Sequence, residues 1–123
     1  STETDRKSIV QLYQSTNEDS WYREDGWNDN NLDLESCFGV KTNDEGRVVE
    51  LNLSSNNLQG AIPSELGGLS ALERLDLFGN KLSGAIPSEL GALSALKFFD
   101  LSRNQLSGAI PSELWWIERF EDI

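Results

Sequence analysis

The sequence contains no histidine, no methionine and one cysteine, Cys37. The lack of histidine excludes imidazole catalysis and histidine-ligated metal sites, and a single cysteine excludes an internal disulfide and a thiolate zinc cluster. No apolar run approaches the roughly 20 residues that a membrane-spanning helix needs, so we expect no membrane insertion. Because methionine is absent, Ser1 is not a translation start, and we expect the chain to have been trimmed.

Basic residues are also scarce. The 123 residues include 10 lysines and arginines against 21 aspartates and glutamates, which gives a net charge of -11. This balance argues against nucleic acid and anionic membrane surfaces as partners, because binding to them depends on counterion release by basic residues. It favours solubility, and it would steer a basic partner toward the protein. The length predicts a single domain.

Residues 48–119 consist of three copies of a 24-residue unit. The copies read VVELNLSSNNLQGAIPSELGGLSA, LERLDLFGNKLSGAIPSELGALSA and LKFFDLSRNQLSGAIPSELWWIER, and 10 of their 24 columns are identical. The period and the pattern L-x-x-L-x-L-x-x-N-x-L are typical of a leucine-rich repeat. We therefore predict an α/β repeat solenoid, with one short strand per repeat in a parallel sheet and helical caps at both ends.

Apolar residues recur at the first, fourth and sixth positions of each repeat, and we predict that they point into the core. These residues are Val48, Leu51, Leu53, Leu72, Leu75, Leu77, Leu96, Phe99 and Leu101. The recurring Asn56, Asn80 and Asn104 are predicted to be structural, because a buried amide can satisfy backbone groups left unpaired in a sharp turn. The proline of each repeat, Pro63 in the first, is predicted to lie in the first turn of a short helix.

The same pattern divides the chain into three parts. Residues 1–47 are predicted to form an N-terminal cap, residues 48–112 the three repeats, and residues 113–123 an amphipathic helix that caps the C-terminal end. Within the N-terminal cap, Trp21 and Trp27 lie in a polar, turn-rich stretch. We expect them to form a small satellite core, with ligand stacking as the alternative.

Local signals predict that the N-terminal cap consists of a helix and a hairpin. The helix is predicted to begin at Thr4, whose side-chain oxygen can cap it, and to end at 15–17. Strands are predicted over 38–42 and 47–49, joined by an Asn-Asp-Glu-Gly turn. The hairpin would lead directly into the first repeat.

Each repeat also contains the motif L-x-G-x-I-P, at 58–63, 82–87 and 106–111. Before the repeats come Asp-Arg, two tryptophans, Gly-Val and Gly-Arg-Val, in that order. In these motifs the sequence resembles the plant-type leucine-rich repeat family with an N-terminal cap, as in receptor ectodomains and polygalacturonase-inhibiting proteins. The resemblance covers nearly the whole chain. It implies a right-handed superhelix whose concave sheet is flanked by a second short strand around each Leu-x-Gly, and a secreted or cell-surface recognition role.

Two features depart from that family pattern. The plant cap usually carries a cysteine pair around W-x-G-V, whereas Cys37 stands here in place of the tryptophan and has no second cysteine to pair with. This resembles the disulfide-free caps of algal and microbial repeat proteins, and it leaves a cytoplasmic location open beside an extracellular one. The three repeats are also fewer than receptors of the family usually carry.

The positions between the inward leucines face the concave side of the predicted sheet, and they differ between repeats. Neighbouring strands lie about 4.8 Å apart, which places Arg74 beside Phe98 and Asp76 beside Asp100. Aromatic and arginine side chains often anchor protein interfaces. We therefore predict a partner-binding patch, with an ordinary sheet face as the alternative. Its residues are Arg74, Asp76, Phe78, Phe98, Asp100 and Arg103.

Asp76 and Asp100 allow two chemical interpretations. Carboxylates about 5 Å apart serve retaining glycoside hydrolysis, but that reaction needs a raised pKa and a pocket that excludes water, which an open sheet does not supply. The other interpretation is a calcium ion shared between them, with Asn52 nearby. We expect neither catalysis nor a cofactor. Asn52 also begins a glycosylation sequon, and a glycan there would cover the concave face of the first repeat.

The leading hypothesis is a non-enzymatic recognition module that binds a protein or a polysaccharide through its concave face. The alternative is a structural module that self-associates through its C-terminal end, where Trp115 and Trp116 replace the small residues of the earlier repeats. We accordingly expect a monomer or a weak homodimer. The resemblance favours a secreted or cell-surface location.

Overall fold

The computed structural model describes residues 1–29 and 32–116, and within these ranges the secondary structure follows the repeat. One α-helix, α1, spans Thr2–Ser15. The strands are β1 Val40–Thr42, β2 Val48–Asn52, β3 Gln59–Ala61, β4 Arg74–Asp76, β5 Lys81–Ala85, β6 Phe98–Asp100 and β7 Gln105–Ser107. Short 3₁₀ helices span Glu18–Ser20, Leu34–Ser36, Ser64–Gly68, Ser88–Ala92 and Ser112–Leu114.

Helix α1 begins two residues earlier than predicted. Ser1 is its N-cap, because the Ser1 Oγ accepts a hydrogen bond from the Thr4 backbone N–H at 3.2 Å. Asp5 then lies in the first turn, where the helix dipole favours negative charge. Ile9 and Leu12 are fully buried on the face that packs against the repeats.

An ion pair with a buried carboxylate joins α1 to the start of β2. The fully buried Asp5 carboxylate accepts hydrogen bonds from Arg47 Nε at 2.9 Å and Nη2 at 3.1 Å. The Val48 backbone N–H donates a third, at 2.9 Å. These donors satisfy a charge that would be costly to bury alone. The hydrogen bond with Asp5 also raises the pKa of Arg47.

Aromatic rings of the N-terminal residues pack together, but they join the same core as the repeat leucines and do not form the separate satellite core that was predicted. The ring centroid of Trp21 lies 5.0 Å from that of Tyr13 and 4.8 Å from that of Trp27, both in edge-to-face geometry. Trp21 and Trp27 are buried, and the Trp27 Nε1–H donates to the Phe38 carbonyl at 2.8 Å. The two tryptophans are therefore part of the interior of the cap.

The strands of the described residues lie in two sheets. The larger sheet has the order β1-β2-β4-β6, and the smaller has the order β3-β5-β7. Strands β1 and β2 are antiparallel, and the other pairs are parallel. The predicted parallel sheet is confirmed. The smaller sheet lies at the Leu-x-Gly segments, where the resemblance implied a second strand.

Leucines from every repeat fill the space between the sheets and the 3₁₀ helices. All of the predicted inward residues are buried except Leu96, which is partly buried against the same core. Burying one leucine side chain contributes roughly 2 kcal/mol. Because each repeat packs on its neighbour, the core is continuous along the stack.

The repeated asparagine is structural, as predicted. Asn80 Oδ1 accepts hydrogen bonds from the backbone N–H groups of Asn56 and Leu58, both at 3.0 Å. Its Nδ2 donates to the carbonyl groups of Leu53 and Leu77 at 3.0 and 2.9 Å. One buried amide therefore pairs backbone groups from two successive repeats.

The side of the repeats opposite the larger sheet carries short 3₁₀ helices. Pro63 precedes its helix and does not lie in the first turn, because its φ of -76° and ψ of 145° are those of extended backbone. Pro87 has the same place in the second repeat. A Cβ on Gly67 would lie 2.3 Å from the Glu89 carbonyl oxygen, so glycine there allows neighbouring repeats to stack closely.

The C-terminal capping helix predicted for 113–123 falls largely outside the described residues. The described part includes the 3₁₀ helix Ser112–Leu114, and Leu114 is buried. Trp115 and Trp116 follow, 74% and 44% exposed.

Candidate functional site

Alternate residues of β2, β4 and β6, and of the turns after them, lie on the side of the larger sheet away from the leucine core. We call this surface the sheet face; it is the predicted concave side. It consists of Glu50, Asn52, Ser54, Arg74, Asp76, Phe78, Phe98, Asp100 and Ser102. The strand register places Arg74 opposite Phe98 and Asp76 opposite Asp100, as the repeat spacing predicts.

Arg74 is held in one orientation at the centre of the sheet face. Its guanidinium carbon lies 4.0 Å from the centroid of the Phe98 ring, a cation–π contact. Its Nη2 also lies 3.5 Å from Asp76 Oδ2. Such a contact at a half-exposed site stabilises by about 0.5–1 kcal/mol, and the ion pair adds little. The main result is a guanidinium that is already ordered on the surface.

Asn52, Asp76 and Asp100 share a role that the sequence reasoning missed. Each side chain accepts a hydrogen bond from the backbone N–H two residues later, and so closes the turn after its strand. The distance from Asp76 Oδ1 to the Phe78 nitrogen is 3.0 Å, and that from Asp100 Oδ1 to the Ser102 nitrogen is 2.9 Å. The recurring Asn or Asp at strand ends was the signal that could have revealed it. One oxygen of each carboxylate is therefore occupied.

Phe78 and Arg103 lie beyond the strand ends. Phe78 is 37% exposed. Arg103 has a φ of 59°, and the equivalent residues Ser55 and Gly79 have φ values of 51° and 71°. A non-glycine residue in this left-handed region is strained by about 1 kcal/mol or more. Arginine is thus held at a position whose backbone favours glycine.

The sheet face and its margins are electrically balanced, unlike the protein as a whole. The acidic members are Glu50, Glu73, Asp76 and Asp100, and the basic members are Lys41, Arg74, Lys97 and Arg103. Three ion pairs bring opposite charges together on this surface: Lys41 with Glu50 at 3.7 Å, Arg74 with Asp76, and Lys97 with Glu73 at 3.5 Å. Four charges of each sign cancel here, so the net charge of -11 lies elsewhere on the chain.

The part of the chain that the structure describes contains no group of three or more histidine, cysteine, aspartate or glutamate side chains that could hold a metal ion. Asp76 and Asp100 are brought together, with Asn52 beside Asp76 in the register. Over the same ranges, no helix combines the length and the apolar character that crossing a bilayer requires.

Comparison with known proteins agrees with this architecture. The leucine-rich repeat family model matches residues 46–106. Among curated proteins, none matches the chain. Solved structures do match it. The PEPR1–AtPEP1 complex has 30% identity and a TM-score of 0.81 over 98% of this chain. The BIR3–SERK2 complex from Arabidopsis thaliana has 36% identity and a TM-score of 0.77 over 89%.

A third similar structure is the Arabidopsis receptor kinase HAESA ectodomain, solved with the peptide hormone ligand IDA. It has 28% identity and a TM-score of 0.75 over 94% of this chain. The chain spans 17%, 62% and 19% of the length of these three matched chains, less than two thirds of each. With its repeats, its parallel sheet and these similarities, the chain belongs to the plant-type leucine-rich repeat family.

Proposed function

We propose that this protein is a non-enzymatic recognition module that binds a polypeptide partner through the sheet face. The observation that carries the proposal is Arg74 stacked on Phe98 at the centre of that face. Arginine and aromatic residues are enriched among the side chains that dominate binding energy at protein interfaces. A side chain that is ordered before binding loses less entropy when the partner docks.

The similar proteins favour a polypeptide over the polysaccharide that the sequence left open. PEPR1 is solved with AtPEP1, HAESA with a peptide hormone ligand, and BIR3 with SERK2. A balanced surface of paired charges also suits a polypeptide that carries charges of both signs. An extracellular location belongs to the same proposal, because HAESA was solved as an ectodomain.

Three further observations support the sheet face as the binding surface. Phe78 offers an exposed ring on the same face, after the end of β4. Arg103 keeps a strained backbone where repeat two has glycine, and strain of this kind is often retained at functional positions. Asp76, which is buried, and Asp100 each use one carboxylate oxygen to close a turn, which suits positioning rather than acid–base catalysis.

The test is the affinity for a polypeptide partner captured from a native extract with the intact protein. We expect Phe98→Ala and Arg74→Gln each to weaken binding by about tenfold or more, as removal of an interface anchor does. Lys81→Ala, on β5 of the smaller sheet, is the matched control and should bind as the parent protein does. Unchanged affinity in both sheet-face variants, with folding intact by circular dichroism, contradicts the proposal.

A second candidate function is self-association through the C-terminal end, favoured by the exposure of Trp115 and Trp116. Sedimentation velocity over a range of concentrations separates the two functions. If an oligomer forms and the double substitution Trp115→Ser with Trp116→Ser abolishes it, self-association is supported. A monomer at high concentration removes this candidate and leaves recognition through the sheet face.

A further inference from the structure

A hollow of about 360 Å³ opens on the sheet face between the cap and the first repeat. Gly39 lies opposite Asn52 of β2. The Asn52 backbone N–H donates a hydrogen bond to the Gly39 carbonyl at 2.8 Å. Gly39 belongs to the turn before β1, and it lines the hollow together with Lys41 and Asn52.

One wall of the hollow is fixed by the fold, because the turn at Gly39 accepts no other residue. Its φ is +83°, and a Cβ would lie 2.3 Å from the Asn52 carbonyl oxygen. The walls are held as well: Phe38 lies under the Arg23 guanidinium at 4.2 Å, and Lys41 pairs with Glu50. The hollow is thus a formed cavity, at the small end of the range that binds a ligand or a single side chain.

The chemistry of the walls describes the occupant. Phe38 supplies an apolar side, and within the described residues Asn52 Nδ2 donates no hydrogen bond, since its Oδ1 alone is engaged by Ser54. Lys41 adds further donors, and Glu50 adds an acceptor. An aromatic ring with a hydroxyl at its tip matches this set, because the ring packs on Phe38 while the tip both accepts and donates.

We infer that this hollow is a subsite for a tyrosine side chain of the polypeptide partner, which extends the binding surface from the repeats into the cap. The inference rests on the proposed function, and it names the part of the partner that this end of the sheet face recognises. Asn52 is also the residue of the sequon, so a glycan on it would fill the subsite.

The test uses N-acetyltyrosinamide as the probe and amide chemical shifts of the ¹⁵N-labelled protein as the measurement. We expect saturable shifts confined to residues 38–41 and 50–54, and affinity about tenfold weaker for N-acetylphenylalaninamide, which lacks one hydrogen-bonding group. Ser54→Phe should fill the hollow and abolish the shifts. Ser102→Phe, the same change two repeats along, should leave them unaltered.

The result that overturns the inference is the absence of saturable shifts, equal binding of both probes, or equal effects of the two phenylalanine variants. Phenylalanine occupies the equivalent position in the second repeat as Phe78, so both variants are expected to fold. Failure here is distinct from failure of the proposed function. The proposed function is tested by Arg74 and Phe98 variants with the polypeptide partner, and those variants should still bind the probe.

Discussion

Replacing Asn80 with alanine tests whether the buried amide joins neighbouring repeats. The change leaves the N–H groups of Asn56 and Leu58 without an acceptor. The Leu77 carbonyl keeps a partner, because Asn104 Nδ2 also donates to it at 2.9 Å. Each orphaned buried donor costs about 1–3 kcal/mol. Local relaxation offsets part of that, so we expect a loss of about 3 kcal/mol in the free energy of unfolding.

Asn104→Ala is the matched control. Asn104 is only half-buried, and among the described residues its Oδ1 accepts a hydrogen bond from one donor, the Leu82 N–H at 3.0 Å. We therefore expect a loss of about 1 kcal/mol, a third of that at Asn80. Urea unfolding followed by circular dichroism measures both losses. Equal losses at the two positions, or a loss below about 1 kcal/mol at Asn80, would refute the reasoning.

Asn80→Asp separates hydrogen bonding from side-chain volume. An ionised aspartate can accept from both N–H groups, but it cannot donate to the Leu53 and Leu77 carbonyls. The folded state therefore disfavours the charged form and raises the pKa of this carboxyl above its unfolded value. The variant should gain stability relative to the parent protein as the pH falls through that raised pKa, and lose it as the pH rises.

Four further predictions follow from the described contacts. Asp5→Ala leaves the buried Val48 N–H without an acceptor and the partly exposed Arg47 without its partner, and should lower the free energy of unfolding by about 2 kcal/mol in urea titrations. Burial, and to a lesser extent the Asp33 carboxylate, raise the pKa of Cys37 to about 11. A thiol reagent at pH 8 should therefore label this residue only after unfolding. Calcium should leave the thermal midpoint unchanged, because Asp76 and Asp100 already serve their own turns; a saturable rise would contradict this. Protein from its native source should carry no glycan on Asn52, as intact mass would show, since a glycan would cover the sheet face.

The repeat period made the centre of the site predictable. Arg74 and Phe98 are 24 residues apart, so any fold that stacks one repeat on the next brings them side by side. The buried leucines and asparagines follow from the same regularity. Phe78 and the stacked Arg74 could also be singled out, because they differ in a framework whose other columns hardly change.

The cap could not be predicted to the same depth, because its contacts join residues that no period relates. Asp5 and Arg47 are 42 positions apart, and only the folded chain brings them together. The helix start depended on choosing between two hydroxyl residues, Ser1 and Thr4, which offer the same chemistry. The hollow depended on Gly39 standing opposite a carbonyl, which is a property of the hairpin register rather than of any local motif.

The hydrogen bonds of Asn56 affect which part of the molecule opens last during local unfolding. Its Oδ1 accepts from the Arg23 backbone N–H at 2.8 Å, and its Nδ2 donates to the Arg23 carbonyl at 2.9 Å. Arg23 therefore pairs with Asn56 as a residue of a preceding repeat would. The first repeat thus has packed backbone on both sides. Amide hydrogens should therefore exchange late where the first repeat meets the residues before it.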